Sequence, residues 1–545
     1  MNRNDAADVA DLMQRWSMTV DRFLAHAARW HGGRELVTRG ADGLISRTTW
    51  RDVERRARQL SAALLAGGVG HGTRVATLSM NVSRHVEAWF GTMGIGAVCH
   101  TLNPRLFEEQ LVYIVNHARD RWLLADPQFA PIVERLRPQC PTLERVVYLC
   151  DREALPPGAA DDFESLIAAR PGEVRWGDFD EHTAAALCYT SGTTGNPKGV
   201  LYSHRSQVLH TLIVAQQDAL ALSARDSLLM IVPMFHANAW GLPFAAAAAG
   251  AKLVLPGPKL DPASLYELLE QEQVTFSGGV PTVWQLLLDY LKAQHLRLST
   301  LKRALIGGSA VPEAVVRALR DDHGVEVLHG WGMTELSPIG TVSGRPTAEV
   351  AALDAEAQLA YNLKQGRVPF GVDMKITGDD GARLPHDGAR TGYLKVAGPA
   401  VVARYYGEER DALDAEGFFD TGDIGSIDAR GYLQITDRAK DLIKSGGEWI
   451  SSVEVENIAA GHPAALMAAV IAVPHPKWRE RPLLVVKLKP GRSATREEFL
   501  GFLEGKIAKW WLPDDVVFVT EMPLGATGKL DKKKLRAQFQ APPGA

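Results

Sequence analysis

The chain has 545 residues, 46 % hydrophobic and 23 % charged, a globular balance that excludes disorder and collagen-like repeats. Sixty lysines and arginines stand against 64 acids, a net charge of −4, without the concentrated basic face that nucleic acid requires. The four cysteines, Cys99, Cys140, Cys150 and Cys188, form no CxxC pair and cannot staple so long a chain, so a reducing, cytoplasmic setting is expected.

The first 24 residues carry acids where a signal peptide carries basic residues, and they read as an amphipathic helix. From about residue 50 to 360, apolar runs of strand length (74–80, 96–102, 121–127, 227–233, 252–258) alternate with helical patterns such as 262–273 and 282–293. That alternation predicts parallel sheets flanked by helices. The longest uncharged stretch, Leu228 to Ala251, is interrupted by Pro233, His236, Asn238 and Pro243, so no integral membrane segment is expected. Past residue 365 the runs shorten and glycine turns multiply, which predicts a small antiparallel or barrel-like unit to about 437. Within it, a hairpin turning at Asp428–Gly431 would set Asp423 opposite about residue 436, close to Arg438. Beyond Arg438, Ser451 to Glu454 has capping-box spacing. The runs around 467–474 and 482–490, a helix from Thr495 to about Trp510 and the strand 515–520 then make a compact α+β tail. The charged joint 437–444 before it reads as a hinge.

The richest local signal is Leu187 to Val200, where an apolar strand enters Thr190-Ser191-Gly192-Thr193-Thr194-Gly195, then Lys198, then a second strand. Glycines let backbone N–H groups approach phosphate oxygens, and the hydroxyls with Lys198 add donors. GxxxxGK[ST] cannot be fitted here, so this is no Walker A loop. Five further segments follow in order: Gly307-Gly308-Ser309-Ala310, Gly330-Trp331-Gly332-Met333-Thr334-Glu335, Phe419 to Asp423, Asp437-Arg438 with Lys440, and Gly525 to Lys529.

Taken together, these six motifs resemble, over nearly the whole chain, the acyl-adenylate-forming (AMP-binding) superfamily, and within it the bacterial medium- and long-chain fatty acyl-CoA synthetases. The resemblance implies an α/β fold: a large N-terminal domain of stacked doubly wound sheets with a small barrel-like part (1–437, the latter 365–437), then a mobile α+β domain (438–545) pivoting near Lys440. It implies ATP, Mg²⁺ and CoA as the small molecules used with a carboxylic acid, and a homodimer. Thr190–Gly195 and Lys198 would take the phosphates. Gly308–Ala310 and His329–Met333 would enclose the adenine, with Thr334 beside the phosphates. Asp423 and Arg438 would hold the ribose, with Lys440 beside them, and Thr190 and Glu335 the metal. Lys529 would bridge the attacking carboxylate and the α-phosphate. Lys444, Ser445, Gly446, Gly447, Glu448 and Trp449 would admit CoA. His236 matches a position near the substrate carboxylate, and Trp240 an indole that closes the acyl tunnel.

For the acid, residues 233–249 carry no cation, and Phe235, Leu242, Phe244 and Ala245–Ala249 are apolar. This suits an aliphatic tail, at about 0.8 kcal/mol per buried methylene. A medium-chain fatty acid is the central expectation; a short or methylthio-substituted acid, or delivery to a carrier protein instead of CoA, are the alternatives.

Overall fold

The computed structural model describes residues 13–14, 16–190, 196–445, 448–524 and 530–539. Residues 16–20 are not helical, and the first helix is Asp21–Trp30. Of the helix expected over the first 24 residues, residues 1–12 and 15 lie outside the described ones, and residues 16–20 depart from it, since Ser17 and Thr19 turn the chain back and Arg22 Nε donates to Ser17 O at 2.6 Å.

Two large sheets are built from the alternating segments. One has seven strands in the spatial order Asp161–Asp162, Arg145–Tyr148, Trp122–Ala125, Arg74–Leu78, Val98–Thr101, Ala184–Tyr189 and Gly199–Ser203, parallel except for the last pair. The other has eight, with parallel strands Glu326–Gly332, Arg303–Gly307, Phe276–Gly279, Ser227–Met230, Lys252–Leu255 and Glu35–Arg39 between the antiparallel edges Ile339–Val342 and Ile45–Thr49. The near-continuous apolar runs of their parallel strands are what burial on both faces demands.

A shared core joins the sheets, with Cys99 and Cys188 from one and Leu228, Leu253 and Phe276 from the other. At its centre Phe244, on the helix Leu242–Ala249, meets Phe23, Trp89 and Phe90 at ring separations of 5.9, 5.7 and 5.7 Å. Among the described residues no helix is long and apolar enough to cross a membrane.

The small antiparallel unit is a four-stranded meander, Asp373–Thr377, Gly392–Ala397, Phe419–Ile427 and Leu433–Arg438. A bulge between Ile424 and Gly425 shifts its last pairing, so Asp423 lies opposite Arg438 itself and not residue 436. From Ile443 onward the chain has its own five-stranded sheet and two apolar clusters centred on Val470, Leu484 and Phe499 and on Ile471, Val485 and Leu535. Ser451 caps the helix Ser452–Ala460 by accepting from Glu454 N. The helix expected to reach Trp510 ends at Leu503, because Gly505 turns into the left-handed region at φ +76°.

Candidate active site

The candidate residues collect where strands end. Thr190 follows Ala184–Tyr189, Pro233 follows Ser227–Met230, Gly308 follows Arg303–Gly307, and Met333 follows Glu326–Gly332. All leave the carboxyl ends of parallel strands, where open α/β sheets leave a crevice for ligands.

At one side of the crevice Asp423 is buried, and each carboxylate oxygen already has a donor. Arg438 Nε approaches Oδ1 at 2.8 Å, and the indole Nε1 of Trp331 donates to Oδ2 at 2.8 Å. Arg438 is 45 % exposed, so part of its five-donor guanidinium stays open to solvent beside an immobilised carboxylate. Trp331, expected only beside a base, thus also orients Asp423.

Deeper in, Thr334 to Leu336 form one 3₁₀ turn held from several directions. Tyr202 donates its hydroxyl to Thr334 O at 2.6 Å, and Tyr405 donates to Glu335 Oε1 at 2.7 Å. Val402 N donates to Glu335 O at 2.8 Å, and Ile339 N to His210 Nε2 at 3.1 Å. Burial raises the pKa of Glu335, while the Tyr405 hydroxyl and the positive charges of Arg438 and Lys198 oppose that rise. Those charges place Arg438 and Lys198 in electrostatic reach of one carboxylate. The ammonium of Lys198 lies 4.6 Å from the centre of the Tyr405 ring. Thr190 N donates to Lys198 O at 2.9 Å, and Lys198 N to Thr190 Oγ1 at 3.3 Å, clasping the two ends of the phosphate-loop candidate.

The turn after Gly307 explains its glycines. A methyl group on Gly307 would stand 2.8 Å from Gly330 O and 3.4 Å from Cη2 of Trp240, and Gly308 has φ +88°. His329 is buried and neutral, its pKa pushed down to about 4 by desolvation, and its Nδ1–H donates to Leu363 O at 3.0 Å.

The segment after His236 has an unexpected backbone. Ala237, Asn238, Ala239, Trp240 and Gly241 all have positive φ, from 37° to 71°, a full left-handed turn with four side chains in it. Trp240 is buried against Gly307. Around the turn stand polar groups that no motif announced. His210 presents Nδ1 toward Gly241, and Thr101 donates to Asn238 Oδ1 at 3.4 Å. Among the described residues, Asn238 Nδ2, His210 Nδ1 and the Gln207 amide find no partner. The apolar run Leu242–Ala247 is buried in the core shared by the two sheets, which is a sufficient reason for its composition.

Two family models cover most of the sequence: "AMP-binding enzyme" matches residues 23–406 and "AMP-binding enzyme C-terminal domain" matches 454–529. The chain is an AMP-binding enzyme. This AMP-binding enzyme is 47 % identical to a 3-methylmercaptopropionyl-CoA ligase of Ruegeria pomeroyi, over 96 % of this chain and 97 % of that protein. It is 46 % identical to a medium-chain-fatty-acid–CoA ligase of Ectopseudomonas oleovorans, over 97 % of each. Its fold matches the crystal structure of the anthranilate CoA ligase AuaEII with anthranoyl-AMP at TM-score 0.86 and 25 % identity, covering 98 % of this chain and 99 % of that one.

Several expected site residues of this AMP-binding enzyme lie outside the described residues: Ser191, Gly192, Thr193, Thr194, Gly195, Gly446, Gly447, the side chain of Glu448, and Lys529. Their flanks are informative. Leu524 pairs with Leu530 and Asp531 N donates to Pro523 O at 2.9 Å, so the segment bearing Lys529 is closed at its base. The strands Ile443–Ser445 and Glu448–Ile450 pair on either side of the two glycines. There Lys444 is exposed, with its ammonium 6.0 Å from the centre of Trp449. Ser445 is instead buried, within 3.4 Å of Arg481 Nη1, and has no open face for a ligand. Tyr202 and Tyr405, which hold the Thr334–Glu335 turn, and His210, which holds Ile339 after it, escaped the sequence reading because each sits remote from the motif it serves.

Proposed function

We propose that this AMP-binding enzyme is an ATP-dependent acyl-CoA ligase that forms an acyl-adenylate and then a thioester. The observation that carries the reading is the convergence of Lys198, Glu335, Asp423 and Arg438, from four separate segments, on one crevice. In this reading Asp423 accepts from the ribose hydroxyls, Arg438 donates beside it, and Thr190 and Lys198 with the loop between them take the phosphates.

Glu335 fits a phosphate-bound Mg²⁺. It is a buried carboxylate with Oε1 already engaged, and no group of three or more His, Cys, Asp or Glu able to cage a metal exists among the described residues. Mg²⁺ takes one or two carboxylates and completes its shell with water and phosphate oxygens. Glu335 and the Thr190 hydroxyl would hold it, and it would supply charge neutralisation on the phosphates. An oxygen of the acid attacks the α-phosphorus and pyrophosphate leaves. Lys529 neutralises the charge that builds in that step. The CoA thiolate then attacks the acyl carbon and AMP leaves. Rotation of the C-terminal segment about Lys440 would exchange Lys529 for the 444–449 hairpin between the two steps.

For the acid, a medium-chain fatty acid is the first reading, and near-equal identity to ligases named for a medium-chain and for a methylthio-substituted acid keeps a short thioether acid beside it. Mass spectrometry of acyl-CoA and AMP, with acids from acetate to palmitate and their methylthio analogues, decides between them. A maximum in the middle of the alkanoate series supports the first, and a sharp preference for 3-(methylthio)propionate the second. AMP without acyl-CoA across the panel overturns CoA as the acceptor.

A further inference from the structure

Lys198 and Glu335 carry opposite charges in one crevice, yet among the described residues they form no ion pair with each other. Tyr405 stands between them. Its ring receives the Lys198 ammonium at 4.6 Å from the centroid, and its hydroxyl donates to Glu335 Oε1 at 2.7 Å. A cation over the ring face and a carboxylate on the phenol oxygen use different parts of one side chain, so both interactions coexist. The ring itself is braced edge-on by Phe419, 6.3 Å away, on the strand that carries Asp423. Tyr405 follows Val402, whose N–H is bonded to the Glu335 carbonyl at 2.8 Å, so the segment 402–405 grips both the backbone and the side chain of Glu335.

We propose that Tyr405 is a positioning residue that keeps the phosphate-binding lysine and the metal-binding glutamate apart and in place, so that each meets its own part of metal-bound ATP. Without the ring, a flexible ammonium and a buried carboxylate would collapse into a salt bridge, and both would lose their function toward the nucleotide. With the ring present, one oxygen of Glu335 is fixed by the phenol and the other is left to the cation. Outer partners of this kind, which orient a ligating carboxylate, commonly change metal affinity by about 10–100-fold when removed. The proposal rests on the reading of Glu335 as the cation's ligand.

The test is calorimetric titration of the full-length protein with ATP, without acid or CoA, once in Mg²⁺ and once in EDTA. The ratio of the two affinities isolates the metal's contribution and does not depend on which acid the enzyme uses. Y405F keeps the ring and loses the hydroxyl, and its Mg²⁺-dependent increment should fall about tenfold. Y405L loses both, and its affinity for ATP should fall in EDTA as well. A Y405F increment within twofold of wild type, with E335Q abolishing it, overturns the role of Tyr405 and leaves the metal reading standing. An increment unchanged in E335Q overturns both. Thermal unfolding in the absence of ligand accompanies each variant. A reduced increment in a Y405F protein melting as wild type supports positioning, whereas an unchanged increment with a lowered melting temperature shows a merely structural residue.

Discussion

Asp423 shows how much a single side chain depends on neighbours remote in sequence. Arg438 reaches it across a bulged pair of strands, but Trp331 comes from another sheet, and its indole is the sole donor to Oδ2 among the described residues. Trp331→Phe keeps the ring and strands a buried carboxylate oxygen, an interaction worth about 1.5–3 kcal/mol when one partner is charged. The KM for ATP should rise at least tenfold with little loss of kcat at saturation; an unchanged KM would show that the indole serves packing alone. Asp126 offers a pH test away from the crevice. Burial pushes its pKa up to about 6, although Met80 N and Ser79 Oγ both donate to it. A carboxylate with a raised pKa binds more protons folded than unfolded, so its contribution to stability falls as pH rises from about 4 to about 6 and is level above. Asp126→Asn removes that slope. Its melting temperature relative to wild type should therefore climb across this window, as thermal unfolding at stepped pH would reveal; parallel curves would contradict it.

At the scale of an element, the left-handed turn Ala237–Gly241 is the most unusual feature of the fold. Each non-glycine residue in that conformation costs on the order of 1 kcal/mol, and four occur in succession. The turn persists because Trp240 is wedged against Gly307 and His210 against Gly241. Such strain concentrates at functional sites, and here it sets Trp240 of the candidate acyl segment against Gly307, next to the candidate adenine turn. Gly241→Ala would put a methyl group 3.0 Å from the His210 ring in a backbone conformation, φ +71°, that residues with side chains rarely adopt. A loss of about 1–3 kcal/mol in denaturant unfolding is expected, with a raised KM for the acid. Retention of both would mean that the turn re-forms freely.

At the scale of the molecule, the C-terminal region is stapled to the joint before it by a buried polar cluster. Lys532 Nζ lies 2.7 Å from Glu456 and donates to Ser452 Oγ at 2.6 Å. Ser452 N in turn donates to Asp437 Oδ2 at 2.6 Å, and Arg536 pairs with Asp441 at 2.6 Å. Lys532 and Glu456 are only 11 % and 12 % exposed, so removing the cation leaves two acids uncompensated. Lys532→Met should cost about 3 kcal/mol. Because the apolar clusters beyond Ile443 are separate from those of the large sheets, calorimetry should show the loss in one transition only. An equal shift of the whole profile would indicate one cooperative unit.

The sequence by itself determined the family, the alternation that makes the large sheets and the order of the six motifs, because hydrophobic period and glycine-bearing loops are local properties of the chain. It also brought Asp423 near Arg438, since a hairpin is nearly local, and missed the register by two residues because a bulge leaves no periodic trace. Only the tertiary structure decided which groups hold the site. Tyr405 and Tyr202 reach the Thr334–Glu335 turn from 70 and 132 residues away, and His210 reaches Ile339 just beyond it from 129, distances at which no spacing rule applies. The same holds for the apolar helix Leu242–Ala249, whose composition the sequence read as suiting an aliphatic tail. The structure shows its Phe244 packed against Phe23, Trp89 and Phe90, a partnership the sequence could not give because an apolar surface specifies burial without specifying its partner.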